Sequence, residues 1–98
     1  MTRDILVSYD VSTESEGGPR RLRRVAKACK DYGQRVQYSV FECTVDSIQM
    51  EKLRQRLLKI IDTELDSLRI YTLQGGREQC VKSYGIDKYV DFEEPLIV

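Results

Sequence analysis

Ile5, Leu6 and Val7 begin an apolar run that continues through Ser8 and Tyr9 and stops at a carboxylate, Asp10. The nearly unbroken apolar character over residues 4–9 predicts a central strand covered on more than one side. Residues 12–18, Ser-Thr-Glu-Ser-Glu-Gly-Gly, read as a mobile polar loop. Pro19 suits the first turn of a helix, where its missing N–H would have no partner in any case. Leu22, Val25, Ala26 and Cys29 then recur at helical spacing, with Arg20, Arg23, Arg24, Lys27 and Lys30 on the opposite side. Tyr32-Gly33 is expected to close this helix, because glycine accepts the left-handed conformation that commonly ends one.

From residue 35 to 43 the pattern changes to period two. Val36, Tyr38 and Val40 face one way and Gln37, Ser39, Phe41 and Cys43 the other, as in a strand with two differently used faces. Asp46 or Ser47 can cap a second helix, whose stripe Met50, Leu53, Leu57, Ile60 and Ile61 belongs in a core. A third strand is expected over residues 67–73, with Leu68 and Ile70 alternating against Arg69 and Tyr71. Gln74-Gly75-Gly76-Arg77 makes a turn, and residues 80–84 can return as a hairpin strand. A βαββαβ order is complete without the last residues if residues 35–43 bend into two short strands or continue as one long one. The α+β, ferredoxin-like split βαβ plan with an antiparallel sheet fits best, as one domain over residues 1–98. Pro95-Leu96-Ile97-Val98 ends the chain in apolar residues that are costly to leave in water. Residues 86–98 are therefore expected to form an extension whose edge strand packs on a partner subunit, docking on their own chain being the alternative.

Composition narrows the chemistry. The chain has 98 residues and no histidine, so the usual neutral-pH acid, base and zinc ligand is missing. No apolar run reaches the length of a membrane span, and the start lacks the signature of a signal peptide, so a cytoplasmic protein is expected. Cys29, Cys43 and Cys80 are odd in number and widely spaced, which suits reduced core thiols better than a disulfide framework or a metal site. Lysine plus arginine and aspartate plus glutamate each total 16, yet Arg20 to Lys30 holds six basic residues and no acid. Zero net charge thus hides a local basic face, which is either a solvated surface or a set of phosphate contacts.

Asp10 at the exit of a buried strand is the leading candidate for chemistry, as a ligand to a borrowed divalent cation. One carboxylate holds magnesium weakly, and a two-fold axis that brings two copies of Asp10 together would supply the second acid. A turn or capping aspartate is the competing reading. Tyr9 and Ser8 can orient the acid or simply pack in the sheet, and Phe41 can stack on a base or fill the core. Gly75-Gly76 lacks the lysine and serine of a phosphate loop and reads as a turn.

Three stretches carry a family resemblance: Leu6-Val7-Ser8-Tyr9-Asp10, the block from Tyr32 to Glu42 (YGQRVQYSVFE), and Asp66-Ser67-Leu68-Arg69-Ile70-Tyr71. Together they resemble the small CRISPR-associated endoribonuclease that partners the integrase in spacer acquisition. The resemblance implies a homodimer in which Asp10 of both subunits binds Mg2+ or Mn2+ and acts in metal-dependent cleavage of RNA or DNA. Its alternative is a non-catalytic dimeric scaffold that holds duplex DNA between integrase subunits. By position, it implies Asp10 as metal ligand and catalytic residue, with Tyr9, Arg24, Arg35, Ser39 and Phe41 around the site or on nucleic acid. Arg20 and Arg23 join this set from the basic helix face. Residues 11–19 form a longer linker than the brief turn of many members. A ferredoxin-like regulatory module for a small ligand is the third, generic possibility.

Overall fold

The computed structural model describes residues 1–90. Strand β1 runs Arg3–Asp10, helix α1 Gly18–Lys30, β2 Gly33–Gln37, β3 Val40–Val45, α2 Ser47–Ile60, β4 Ser67–Thr72 and a single turn of helix, α3, Arg77–Cys80. The strands form one sheet in the order β2-β3-β1-β4 with every neighbouring pair antiparallel. This is the βαββαβ plan, completed by the option in which the middle segment bends into two strands.

Alternation in β1 sorts its residues. Ile5, Val7 and Tyr9 are buried, and with Phe41, Cys43 and Val45 of β3 they meet Val25, Ala28 and Cys29 of α1 and Leu53, Leu57 and Ile60 of α2. Both helices therefore cover one face of the sheet. The thiols of Cys29 and Cys43 sit in this core, where burial pushes each up to about 12, so neither is a nucleophile at neutral pH. Cys80 is exposed, contrary to the expectation of a third core thiol, because α3 lies outside the helix layer.

The bend at Tyr38-Ser39 corrects the single-strand reading of residues 35–43. The register shifts between Arg35 and Gln37, leaving Tyr38 at the hairpin tip, 91% exposed. Gly33 has a different role from the one expected. Helix α1 ends at Asp31 in ordinary right-handed backbone, and Gly33 opens β2 where a Cβ would lie 2.3 Å from the Glu42 carbonyl oxygen and 2.5 Å from Cys43 Sγ. Close approach to β3, and not a left-handed cap, requires glycine here. Gly33→Ala is expected to cost on the order of 2 kcal/mol as overpacking against backbone, read as a lower urea midpoint with an unchanged slope.

The hairpin strand expected at residues 80–84 does not form. Gly75 and Gly76 take positive φ (87° and 88°), Arg77 N–H donates to Asp4 Oδ2 at 2.8 Å, and the chain enters α3 instead. Those contacts fix the turn to the start of β1 rather than directing the chain back along β4. Asp46 caps α2 in a reciprocal box with Gln49. The edge strand expected from Pro95 to Val98 lies outside the described residues.

Candidate active site

Residues alternating with the core side chains point to the face opposite α1 and α2. On β1 these are Asp4, Leu6, Ser8 and Asp10; on β3, Val40, Glu42 and Thr44; on β4, Ser67, Arg69 and Tyr71. One end of this face is closed. Arg77 Nε donates to the buried Glu42 carboxylate at 2.8 Å, its guanidinium carbon lies 3.4 Å from the centre of the Tyr89 ring, and the Gln34 amide exchanges two 2.8 Å hydrogen bonds with the Val90 backbone. At the other end Asp10 is exposed beside Ser67, its partner on β4. Half-buried Leu6, Ser8 and Val40 continue the surface.

The predicted site residues divide among three places. Asp10 stands on the bare sheet face. Tyr9, the next residue, points the other way into the core at 4% exposure, its ring stacked 6.2 Å from Phe41, which is 1% exposed. Arg35 lies 5.2 Å over the Phe41 ring. This corrects the expectation that Tyr9 and Phe41 touch nucleic acid: their rings are covered, and of this trio only Arg35 is exposed. Burial raises the Tyr9 hydroxyl pKa, the neighbouring Arg35 pulling the other way. Ser39 sits in the β2–β3 turn, where its carbonyl accepts the Tyr9 N–H at 3.1 Å. Arg20, Arg23 and Arg24 are on the outer surface of α1.

Two residues absent from the expected site shape it. Arg69 shares this face with Asp10, two pairs along the β1–β4 ladder opposite Ser8, and its guanidinium donates to the Tyr71 hydroxyl at 2.9 Å. The alternation of Arg69 and Tyr71 against Leu68 and Ile70 was the signal for it. Arg21 is the second. It reads as one more cation in the basic run, yet it precedes Val25 by four residues and so shares the inward stripe. Its Nε donates to Asp66 Oδ2 at 2.8 Å, with side-chain exposures of 13% and 0%. It also donates to Ser15 Oγ at 2.8 Å and to the Glu16 carbonyl at 3.0 Å. Asp66 in turn accepts the backbone N–H groups of Ser12 at 3.0 Å and Asp62 at 2.9 Å. The loop expected to be mobile is thus tied down. Gly18 adds to this, since a Cβ there would lie 2.1 Å from the Ser12 carbonyl oxygen.

The Arg21 guanidinium lowers the Asp66 pKa to about 2 from 3.8, with the two backbone donors helping and burial opposing. Because the folded carboxyl takes up its proton less readily than the unfolded one, the resulting stability is present above about pH 4 and is lost as pH falls toward about 2. Roughly 2 kcal/mol should disappear across that window, and urea denaturation at stepped pH measures it. Arg21→Ala should flatten the profile.

Among the described residues no three His, Cys, Asp or Glu side chains cluster as metal ligands. Asp10 offers hard oxygen donors of the kind Mg2+ and Mn2+ take, but one chain gives too few of them. The donor set fits a divalent cation only when a second Asp10 faces the first. No helix among the described residues is long and apolar enough to cross a membrane.

Fold and site together define a small ferredoxin-like α+β domain that presents an exposed carboxylate on the sheet face opposite its two long helices. The chain belongs to the family described as CRISPR associated protein Cas2, whose profile matches residues 3–80. It is 53% identical over 94 residues to CRISPR-associated endoribonuclease Cas2 1 of Moorella thermoacetica, covering 96% of this chain and 98% of that one. Over 93 residues it is 54% identical to CRISPR-associated endonuclease Cas2 of Halalkalibacterium halodurans, covering 95% and 97%. The crystal structure of Streptococcus pyogenes Cas2 at pH 6.5 superposes with a TM-score of 0.75 at 49% identity, covering 84% of this chain and 99% of that chain.

Proposed function

We propose that this protein is a metal-dependent endonuclease of CRISPR adaptation, working as a homodimer whose two copies of Asp10 hold one divalent cation, Mg2+ or Mn2+. A single observation carries the reading: Asp10 is exposed at the end of the sheet face opposite α1 and α2, away from the Arg77–Glu42 contact, on a surface that holds half-buried apolar residues. A second copy packed on that face would remove Leu6 and Val40 from water and bring like-charged carboxylates together, an arrangement stable only with a cation or a proton between them. The ion, when bound, supplies Lewis-acid polarisation of a phosphoryl oxygen and a water acidic enough to attack at neutral pH. Arg69, on the same face, offers paired donors to the phosphate as charge builds on it. Arg21 and Asp66 act at one remove by fixing the loop that leaves β1.

The names of the relatives divide between endoribonuclease and endonuclease, and both RNA and DNA belong in the test. Cleavage of each is measured with Mg2+, with Mn2+ and with a chelator, comparing native protein with Asp10→Ala at equal purity. Products that persist in the chelator or in the variant overturn the proposal. The exposed cations of α1 favour a second reading, a dimer that holds duplex DNA for the spacer-acquisition integrase in the cytoplasm. On that reading Asp10→Ala leaves spacer integration unharmed, and charge reversal at Arg20, Arg23 and Arg24 weakens DNA binding.

A further inference from the structure

The strongest concentration of positive charge is not confined to the α1 run. A groove between the outer surfaces of α1 and α2 is lined by Arg20, Arg23, Arg24 and Lys27 from one helix and by Arg56, Lys59 and Ile60 from the other. Six cations separated by more than 25 residues of sequence therefore converge on one surface. Asp31, at the end of α1, joins the two sides, accepting from Lys27 Nζ at 2.8 Å and from Arg56 Nη1 at 2.8 Å. Arg20, Arg23, Arg24 and Lys59 have no acidic partner among the described residues.

We infer that this interhelical groove is a nucleic-acid backbone site, with Arg56 and Lys59 of α2 as its second wall, separate from the Asp10 face. The inference rests on the proposed action on nucleic acid and adds where the strand is held. Charge complementarity names the occupant. Cations that balance one another in pairs need no ligand, whereas four without acids beside them leave a positive potential that a polyanion relieves. Extent argues for a phosphodiester chain over a free phosphate. Positions 20 to 27 of a helix span roughly 10 Å, which matches about three phosphates along one strand. Guanidinium groups on both walls supply paired donors for phosphoryl oxygens.

Position makes binding and cleavage separable. The groove opens on the outside of the helix layer, while Asp10 lies on the far face of the sheet, so the helices and the sheet stand between them. Two chains packed through their bare faces would present two such grooves pointing outward. Asp31 is then a restraint on the site: it draws Lys27 and Arg56 toward itself and subtracts a charge from the groove.

Fluorescence anisotropy of a labelled blunt DNA duplex and a labelled RNA hairpin, titrated with full-length protein over a KCl series, tests the assignment. Arg56→Gln with Lys59→Gln should weaken binding about tenfold at low salt and reduce the slope of log affinity against log salt by about one to two. Asp31→Asn should tighten binding about threefold or more and steepen the slope, since losing an exposed ion pair costs the fold little. Lys52→Gln, at an exposed cation of α2 outside the groove, should bind as native protein does. Unchanged affinity and slope in both the double variant and Asp31→Asn overturn the groove while leaving the nuclease reading standing, as does a loss in Lys52→Gln as large as in the double variant. Native protein that binds neither probe overturns both, and competition by inorganic phosphate as effective as by unlabelled duplex reduces the groove to a simple anion site. If the double variant melts early, the Asp31→Asn result decides.

Discussion

Asp10→Ala is expected to lower phosphodiester cleavage by at least about a hundredfold, near 3 kcal/mol of lost transition-state stabilisation, with the melting temperature in the absence of divalent ion unchanged. The large effect follows from the poverty of the site. The chain has no histidine to act as acid or base, and among the described residues no other carboxylate cluster is available to hold a cation. Stability should hold because Asp10 is exposed and takes part in no ion pair among those described. If two copies relieve their repulsion through a shared cation, the variant should also lose divalent-ion stabilisation of the native dimer, seen as a melting temperature that no longer rises with Mg2+. Size-exclusion chromatography and thermal melts with and without Mg2+ separate these effects. Retained cleavage would remove Asp10 from the chemistry.

Arg21→Ala should be the most damaging single change for stability outside the apolar core. Removing the guanidinium leaves the Asp66 carboxylate with its side chain fully buried and only the Ser12 and Asp62 backbone donors beside it. Breaking a buried pair from one side costs about 3 kcal/mol, which for a domain of this size lowers the melting temperature by roughly 10 to 20 °C. Arg21→Lys should recover only part of this. A lysine ammonium can reach one Asp66 oxygen but cannot also hold Ser15 Oγ and the Glu16 carbonyl in the fixed fork of the arginine. Because Asp66 directly precedes Ser67, the partner of Asp10, both substitutions should reduce cleavage more than loss of folded protein explains. A melting temperature within a few degrees of native in Arg21→Ala would contradict the account.

The two arginines show what could and could not be read ahead of the structure. Arg69 was visible: alternation in residues 67–73 placed it opposite Leu68 and Ile70, and only the β1–β4 register was needed to put it beside Asp10. Arg21 was hidden, because a run of cations reads as one surface and the fourfold helical relation to Val25 is weaker than the sign of the charge. Its partner lies 45 residues away. For Phe41 and Tyr9 the sequence left open a place near nucleic acid or in the sheet packing, and the structure puts both rings in the core, as their alternation with Asp10 and Glu42 already allowed.

By itself the sequence determined the helical spacing of α1 and α2 and their apolar stripes, a cap at Asp46 or Ser47, the apolar run of β1 though not that only one of its faces enters the core, and the absence of histidine. Those features are local: each depends on side-chain spacing over a few residues, and spacing is written in the chain. Tertiary structure alone decided that residues 35–43 turn back at Tyr38, that residues 80–84 do not return as a strand, that the loop after Asp10 is held by Arg21 and Asp66, and that cations of α1 and α2 share a groove. Each of these depends on which distant segments meet, and hydrogen-bond partners and charges many residues apart leave no periodic trace in the sequence from which they could be paired.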